Sequence, residues 1–233
     1  AGRSSCGVAA CVLWLVMVLF GSVSAAAIDT KQFDSDLARL CSQSRVIGTT
    51  GYKAAAAYIQ SELAALPGVV VRTHEYEVMM PVTDRASIGM PGGGEVAVFP
   101  FWPAHTRLNA TPAEGISGRL VYVGKAGLEE IRPKELDGQI AVVEASAGTA
   151  WSQAVYFGAR AIVVLGDKDL SNADLRAHEL VIPVNIPRFY LPAGALAEQI
   201  RGGGVSVPVT LRAAAHWETR TALNIYALIR PAQ

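Results

Sequence analysis

The chain has 233 residues, enough for one domain of moderate size or two small ones. Lys plus Arg and Asp plus Glu stand at 20 each, so the formal net charge is zero. No basic excess exists to neutralise a phosphate backbone, and nucleic acid is not an expected partner.

Part of the 51% hydrophobic content lies in the first segment. Arg3 is the only charge before the apolar run Val8 to Phe20, and small residues follow from Val23 to Ala27. This order predicts a secretory signal over residues 1–27, cleaved after Ala25 or Ala27, and therefore an exported chain, secreted or periplasmic. The run is too short to predict a transmembrane span, so no stable span is expected after cleavage. Val8-Ala9-Ala10-Cys11 looks like a lipoprotein box but stands at the start of the apolar run instead of after it. Cys6 and Cys11 leave with the leader, and Cys41 alone cannot form an internal disulfide. Its neighbours Leu40 and Ser42 supply no cation or base. Cys41 therefore reads as a small buried hydrophobe on a helix rather than a nucleophile.

The first predicted helix runs from Ile28 to Gln43, with Phe33, Leu37, Leu40 and Cys41 on one face and Asp29 or Thr30 as N-cap. Thr49 or Thr50 caps a second, Gly51 to Leu66, with the stripe Tyr52, Ala55, Ile59, Leu63, Leu66. Pro67-Gly68 stops it, and Val69 to Val78 is a strand. Residues 79–117 are dense in Pro and Gly. Glu95 to Phe99 fits a short edge strand. Phe99, Phe101 and Trp102 form an aromatic knot that reads as local core, with a substrate-facing wall as the sharper alternative. Asn109-Ala-Thr111 is a formal glycosylation acceptor, although Pro112 follows at once.

Gly118 to Leu165 contains three short β-branched runs closed by Gly or Asp-Gly, which predicts buried strands. Trp151 to Gly158 fits one helix with Ala154, Val155 and Phe157 inward. The result is a small α/β unit without His or Cys. Asp167 to His178 is polar, and Leu180 to Val184 is a strand. Ala193 to Ile200 is a helix stopped by Gly202–Gly204. Val205 to Leu211 alternates as a half-exposed strand, in which Pro208 requires an edge. Thr221 to Ile229 reads as a buried strand.

A metal centre needs several donors converging. The histidines are His74, His105, His178 and His216, none with a second His at helical spacing. His216-Trp-Glu218 could place two ligands on one strand face, but His216 at a junction and Glu218 in solvent is the plainer reading. Gly115-Ile-Ser-Gly118 fails the serine-hydrolase spacing. The glycine triplets lack a phosphate-loop pattern and read as turns. No catalytic and no metal residue is assigned.

Several segments match a known pattern. Arg45-Val-Ile-Gly-Thr-Thr-Gly51, followed by Tyr58-Ile59 and Leu63, resembles the N-terminal helix entry of the secreted di-zinc exopeptidases of metallopeptidase clan MH. Gly118–Leu165 resembles the protease-associated (PA) domain that many of them carry. Leu136-Asp-Gly-Gln-Ile-Ala-Val-Val143 resembles its Leu-x-Gly-Lys-Ile strand, with Gln139 in place of Lys. Gly158-Ala159 and Ile182-Pro183 also fit. Thr221-Ala-Leu-Asn-Ile-Tyr-Ala227 resembles the strand by which such chains re-enter the peptidase domain.

The resemblance implies an α/β architecture in which residues 28–78 and 216–233 form an incomplete zinc-exopeptidase layer. Residues 79–215 would be the inserted β-rich PA domain with flanking helices. In that family the metal ligands and general base, beginning with His-x-Asp, follow the point reached at Gln233. It therefore implies no cofactor in this chain, with zinc expected in a full-length relative. The implied function is the non-catalytic, substrate-access portion of an exported zinc-dependent aminopeptidase-like exopeptidase. Its partners would be a peptide substrate or the missing catalytic domain. The alternative is a stand-alone PA-type module that binds a peptide or protein. A third reading, an intact hydrolase using Cys41 or a histidine, is the weakest. Trp102, His105, Tyr190 and Trp217 are the expected cleft-facing contacts. The incomplete layer is expected to leave apolar surface of helix 51–66 and strand 221–229 uncovered.

Overall fold

Asp29 opens the first helix by accepting the backbone N–H groups of Lys31 and Gln32 at 3.0 and 3.2 Å. The structure is a computed structural model that describes residues 29–103, 107–167, 184–205 and 207–229. The predicted leader, and all of the predicted strand 180–184 except Val184, lie outside the described residues. The described chain is a mixed α/β fold that divides into two compact units: residues 29–74 with 223–229, and residues 75–222.

The first unit holds helices α1 (Thr30–Cys41) and α2 (Thr50–Ala64). Thr49 caps α2 by accepting the N–H of Tyr52. Gly51 is buried, and a Cβ there would collide with the Ser44 carbonyl oxygen and the Gln43 side chain. Only glycine allows the loop to approach the helix so closely. Tyr58 is the buried side chain of α2. Its hydroxyl donates to Asp36 of α1, and the Arg39 guanidinium lies 4.2 Å over its ring.

The apolar stripes lie at the surface, as expected for helix 51–66, while the exposure of Cys41 corrects its predicted burial. Ile59 and Leu66 are exposed, as are Phe33, Leu37 and Cys41. A periodic stripe identifies the residues that would face a covering layer, and none covers them among the described residues.

The described strands form an eight-stranded sheet in the order β2-β1-β8-β4-β5-β6-β7-β3. They are β1 (Val69–Gly89), β2 (Glu95–Ala97), β3 (Phe99–Pro100), β4 (Ile116–Tyr122), β5 (Ile140–Glu144), β6 (Ala161–Leu165), β7 (Arg188–Leu191) and β8 (Pro208–Ile229). The predicted strand 69–78 is the start of β1, which continues through Met80-Pro81. The terminal strands β2 and β3 are separated only by Val98, so the two ends of the sheet approach one another. Both are very short, which limits open backbone edge.

Strands β4 to β7 run parallel, with Val142 opposite Val163 and Val163 opposite Phe189. Their faces alternate between two cores. Ile140, Val142, Val163 and Leu165 pack with Leu196, Ala197 and Ile200 of α5 (Ala195–Arg201). Ala141, Val143, Ile162 and Val164 pack with Ile131 of α3 (Leu128–Ile131) and with Trp151 and Ala154 of α4 (Trp151–Tyr156). Burial on both faces explains why these strands read as continuous apolar runs. In α4 the inward pair is Trp151 and Ala154. Val155, half-buried, packs against the same core as predicted, whereas Phe157 is exposed, which corrects its inward placement.

Two strand expectations also change. β8 lies between β1 and β4, so Pro208 is not on an edge strand. It is the first residue of β8, opposite Arg119, where its missing N–H removes no interior ladder bond. The predicted buried strand 221–229 is the end of β8, where only Ala222 is buried. Leu228 is 45% and Ile229 80% exposed. The apolar surface expected to be uncovered is therefore present on α2 and at the end of β8.

Candidate functional site

The aromatic segment after β3 turns on Asn109. Its Nδ2 donates to the carbonyl oxygens of Phe101 (2.7 Å) and Trp102 (3.3 Å), and its Oδ1 accepts from the backbone N–H of Arg188 (2.9 Å). Thr111 exchanges backbone and hydroxyl bonds with Ala213 of β8. Both ends of the Asn109-Ala-Thr111 acceptor are thus structural. Asn109 is buried with its amide engaged, so the folded protein does not present it for glycosylation.

This clamp places the backbone of Trp102 beside a pocket of about 100 Å³, also lined by Pro81, Pro100, Phe101 and Ala215. The knot is split: Phe101 is core, while Phe99 and Trp102 are about half exposed. Trp217 stands two residues beyond Ala215 on β8. It shares that strand face, about 6.6 Å further along. Tyr190 lies opposite Phe99 in the β3–β7 register, packs against the second core, and has its hydroxyl against Gly166. It is held as a packing residue. His105 lies outside the described residues. Of the four predicted contacts, Trp102 lines the pocket and Trp217 extends its β8 face.

A second feature had no sequence expectation. Tyr122, the last residue of β4, donates its hydroxyl to Glu144 Oε1 at 2.6 Å. Glu144, the last residue of β5, also accepts from Arg201 Nε and Nη2, both at 2.8 Å. Arg201 ends α5 and donates in addition to Glu198 and to the Gly166 carbonyl. The Arg201 guanidinium holds the Glu144 carboxyl below the usual range, while two carboxylates raise the Arg201 pKa. Burial, and then the Glu144 bond, push the Tyr122 hydroxyl up to about 12. A filled carboxylate, a doubly neutralised guanidinium and a firmly protonated phenol have no free acid–base capacity near neutral pH. The network ties α5 to the carboxyl ends of β4 and β5, beside a groove of about 490 Å³. Tyr122, Glu144 and Arg201 are too far apart in sequence for any spacing rule. The available signals were a carboxylate closing an apolar run and an Arg just before Gly202–Gly204.

Zinc has no fitting donor set among the described residues. Among the described residues no group of three or more His, Cys, Asp or Glu converges. His216 Nδ1 lies 3.1 Å from Asp84, and Glu218 is paired with Arg220 at 3.3 Å, which divides the two strand-face candidates. The Arg220 guanidinium also holds the Glu218 carboxyl low. No helix of the described residues is long and apolar enough to cross a membrane.

No protein-family model matches the chain, and no curated protein matches it significantly. Solved structures do. The fold is similar to that of a peptidase M28 precursor from Shewanella amazonensis SB2B, with a TM-score of 0.50 and 14% identity. That match covers 83% of this chain and 49% of the other. An aminopeptidase from Aneurinibacillus sp. strain AM-1 matches with a TM-score of 0.45 and 20% identity, covering 84% of this chain and 47% of the other. The class defined by the fold is a mixed α/β protein whose fold is similar to that of the peptidase M28 precursor. The chain spans about half the length of each of these two proteins.

Proposed function

We propose that this chain is the non-catalytic N-terminal and substrate-access portion of an exported, zinc-dependent aminopeptidase-like exopeptidase that hydrolyses peptides. The observation that carries this reading is the fold shared with the peptidase M28 precursor over 83% of this chain. The ordered motifs from Arg45 to Ala227 support it. So does the uncovered apolar surface on α2 and the end of β8, which suits a further layer packed against it.

In this reading residues 79–215 act as a PA-type domain, and Trp102 and Trp217 border the path of the peptide. Zinc would supply the activated water in the catalytic portion. Among the described residues no group of three or more His, Cys, Asp or Glu offers a ligand set for it; in this reading the bond-breaking step belongs to the catalytic portion. The alternative, a stand-alone PA-type module that binds a peptide or protein without catalysis, is favoured by the second unit, which holds both cores by itself.

The test compares the chain alone with a version extended along its natural reading frame. Zinc content and hydrolysis of an aminoacyl anilide are measured for both. The expected result is no activity from the chain alone and zinc-dependent activity from the extended protein. A natural stop codon at residue 233, with zinc-free peptide binding, would replace this reading with the stand-alone module. Hydrolysis by the chain alone would overturn both.

A further inference from the structure

A pocket of about 420 Å³ opens beside the amino ends of β4, β6 and β7, lined by other residues than the Trp102 pocket and the Tyr122 network. This volume lies within the range of small-ligand sites. Its walls are mostly apolar, with Ile116, Val155, Ile186 and Pro187 among them, and its polar groups are Arg107, Arg160 and Asn185. Among the described residues no acidic side chain lines it. Neither arginine side chain forms an ion pair or hydrogen bond among the described residues, unlike Arg119 and Arg201, which are held by carboxylates. Two uncompensated guanidiniums beside an apolar wall complement one chemistry: a planar anion attached to an apolar body. A guanidinium offers paired donors that match a carboxylate in bidentate geometry, and Asn185 can supply one more hydrogen bond.

We propose that this pocket binds a carboxylate joined to an apolar side chain, as carried by the C-terminal residue of a peptide or by a free N-acylated apolar amino acid. The site is independent of any catalytic partner, so it stands or falls apart from the function proposed above.

The test is fluorescence anisotropy of the full chain with a labelled peptide ending in a free-acid leucine, and with its C-terminal amide. The free acid binds saturably and the amide about tenfold more weakly or worse. The Arg107→Ala/Arg160→Ala double variant loses at least as much while its melting temperature is unchanged. Arg160→Lys, which keeps the charge but not the fork, falls between. Arg45→Ala, a charge change outside the pocket, binds as the parent does. Displacement of the peptide by N-acetyl-leucine at matching concentration assigns the site to small acids, and failure to displace assigns it to peptide ends. Equal binding of acid and amide overturns the proposal. So does an Arg45→Ala loss as large as that of the double variant, or no saturable binding up to about 1 mM.

Discussion

Asn109 illustrates how one buried amide fixes a surface. Its donors and acceptor satisfy two carbonyls and one N–H that would otherwise be stranded in the chain after β3. Asn109→Ala is expected to cost about 3 kcal/mol and to loosen Trp102, measurable as a lower melting temperature and changed tryptophan emission. Glu144 has a folded pKa below its unfolded value. Its stabilisation is complete above the unfolded pKa and is lost as pH falls through the folded one. Tyr122 has the opposite sign. With its folded pKa raised from 10.0 to about 12, its contribution is complete below pH 10 and fades as pH rises toward 12. Thermal melts across pH should show both losses. Glu144→Gln should flatten the acid side, and Tyr122→Phe should reduce the alkaline loss, leaving the part due to Tyr58, which Asp36 also raises to about 12. Cys41 is exposed, against the sequence expectation of burial. A folded sample should therefore react fully with a thiol reagent without denaturant, and a protected thiol would contradict this placement.

At the scale of elements, α2 and the end of β8 show what periodicity leaves open. Tyr52 receives the backbone N–H of Leu223 at 2.6 Å, so the strand is tied to the helix by a bond no stripe predicts. Ile59 of α2, Leu66 just beyond it, and Leu228 and Ile229 of β8 remain at the surface. Replacing Leu228 and Ile229 with Lys should raise the solubility of the chain with little change in melting temperature. In a longer protein that covers this strand, the same change should destabilise. Gly51 is the element-level constraint on the turn between α1 and α2. Gly51→Ala drives a methyl into the Ser44 carbonyl and should cost about 2 kcal/mol, read by chemical denaturation of the first unit.

Across the whole molecule the two units differ in how they are held. Residues 75–222 contain both buried clusters, whereas the first unit has little buried beyond Gly51 and Tyr58 among its described residues. Hydrogen exchange should therefore protect β5 and β6 most and α1 least, since local opening follows buried apolar contact. Uniform protection across both units would contradict this. The division at residues 74/75 and 222/223 falls within the long strands β1 and β8, where no change of composition marks it.

The amino-acid order alone determined the helices and narrowed their caps to Asp29 or Thr30 and Thr49 or Thr50, because capping and periodicity act within a few neighbouring residues; the structure selects Asp29 and Thr49. It also determined the buried core strands at 118–165, because burial on both faces leaves an unbroken apolar run; tertiary structure decided that they run parallel. Tertiary structure decided that Asn109 is an anchor and Cys41 a surface thiol. It also brought together Tyr122, Glu144 and Arg201, and left Arg107 and Arg160 around one pocket. These depend on which distant segments meet, and sequence spacing carries no record of contacts made across a sheet.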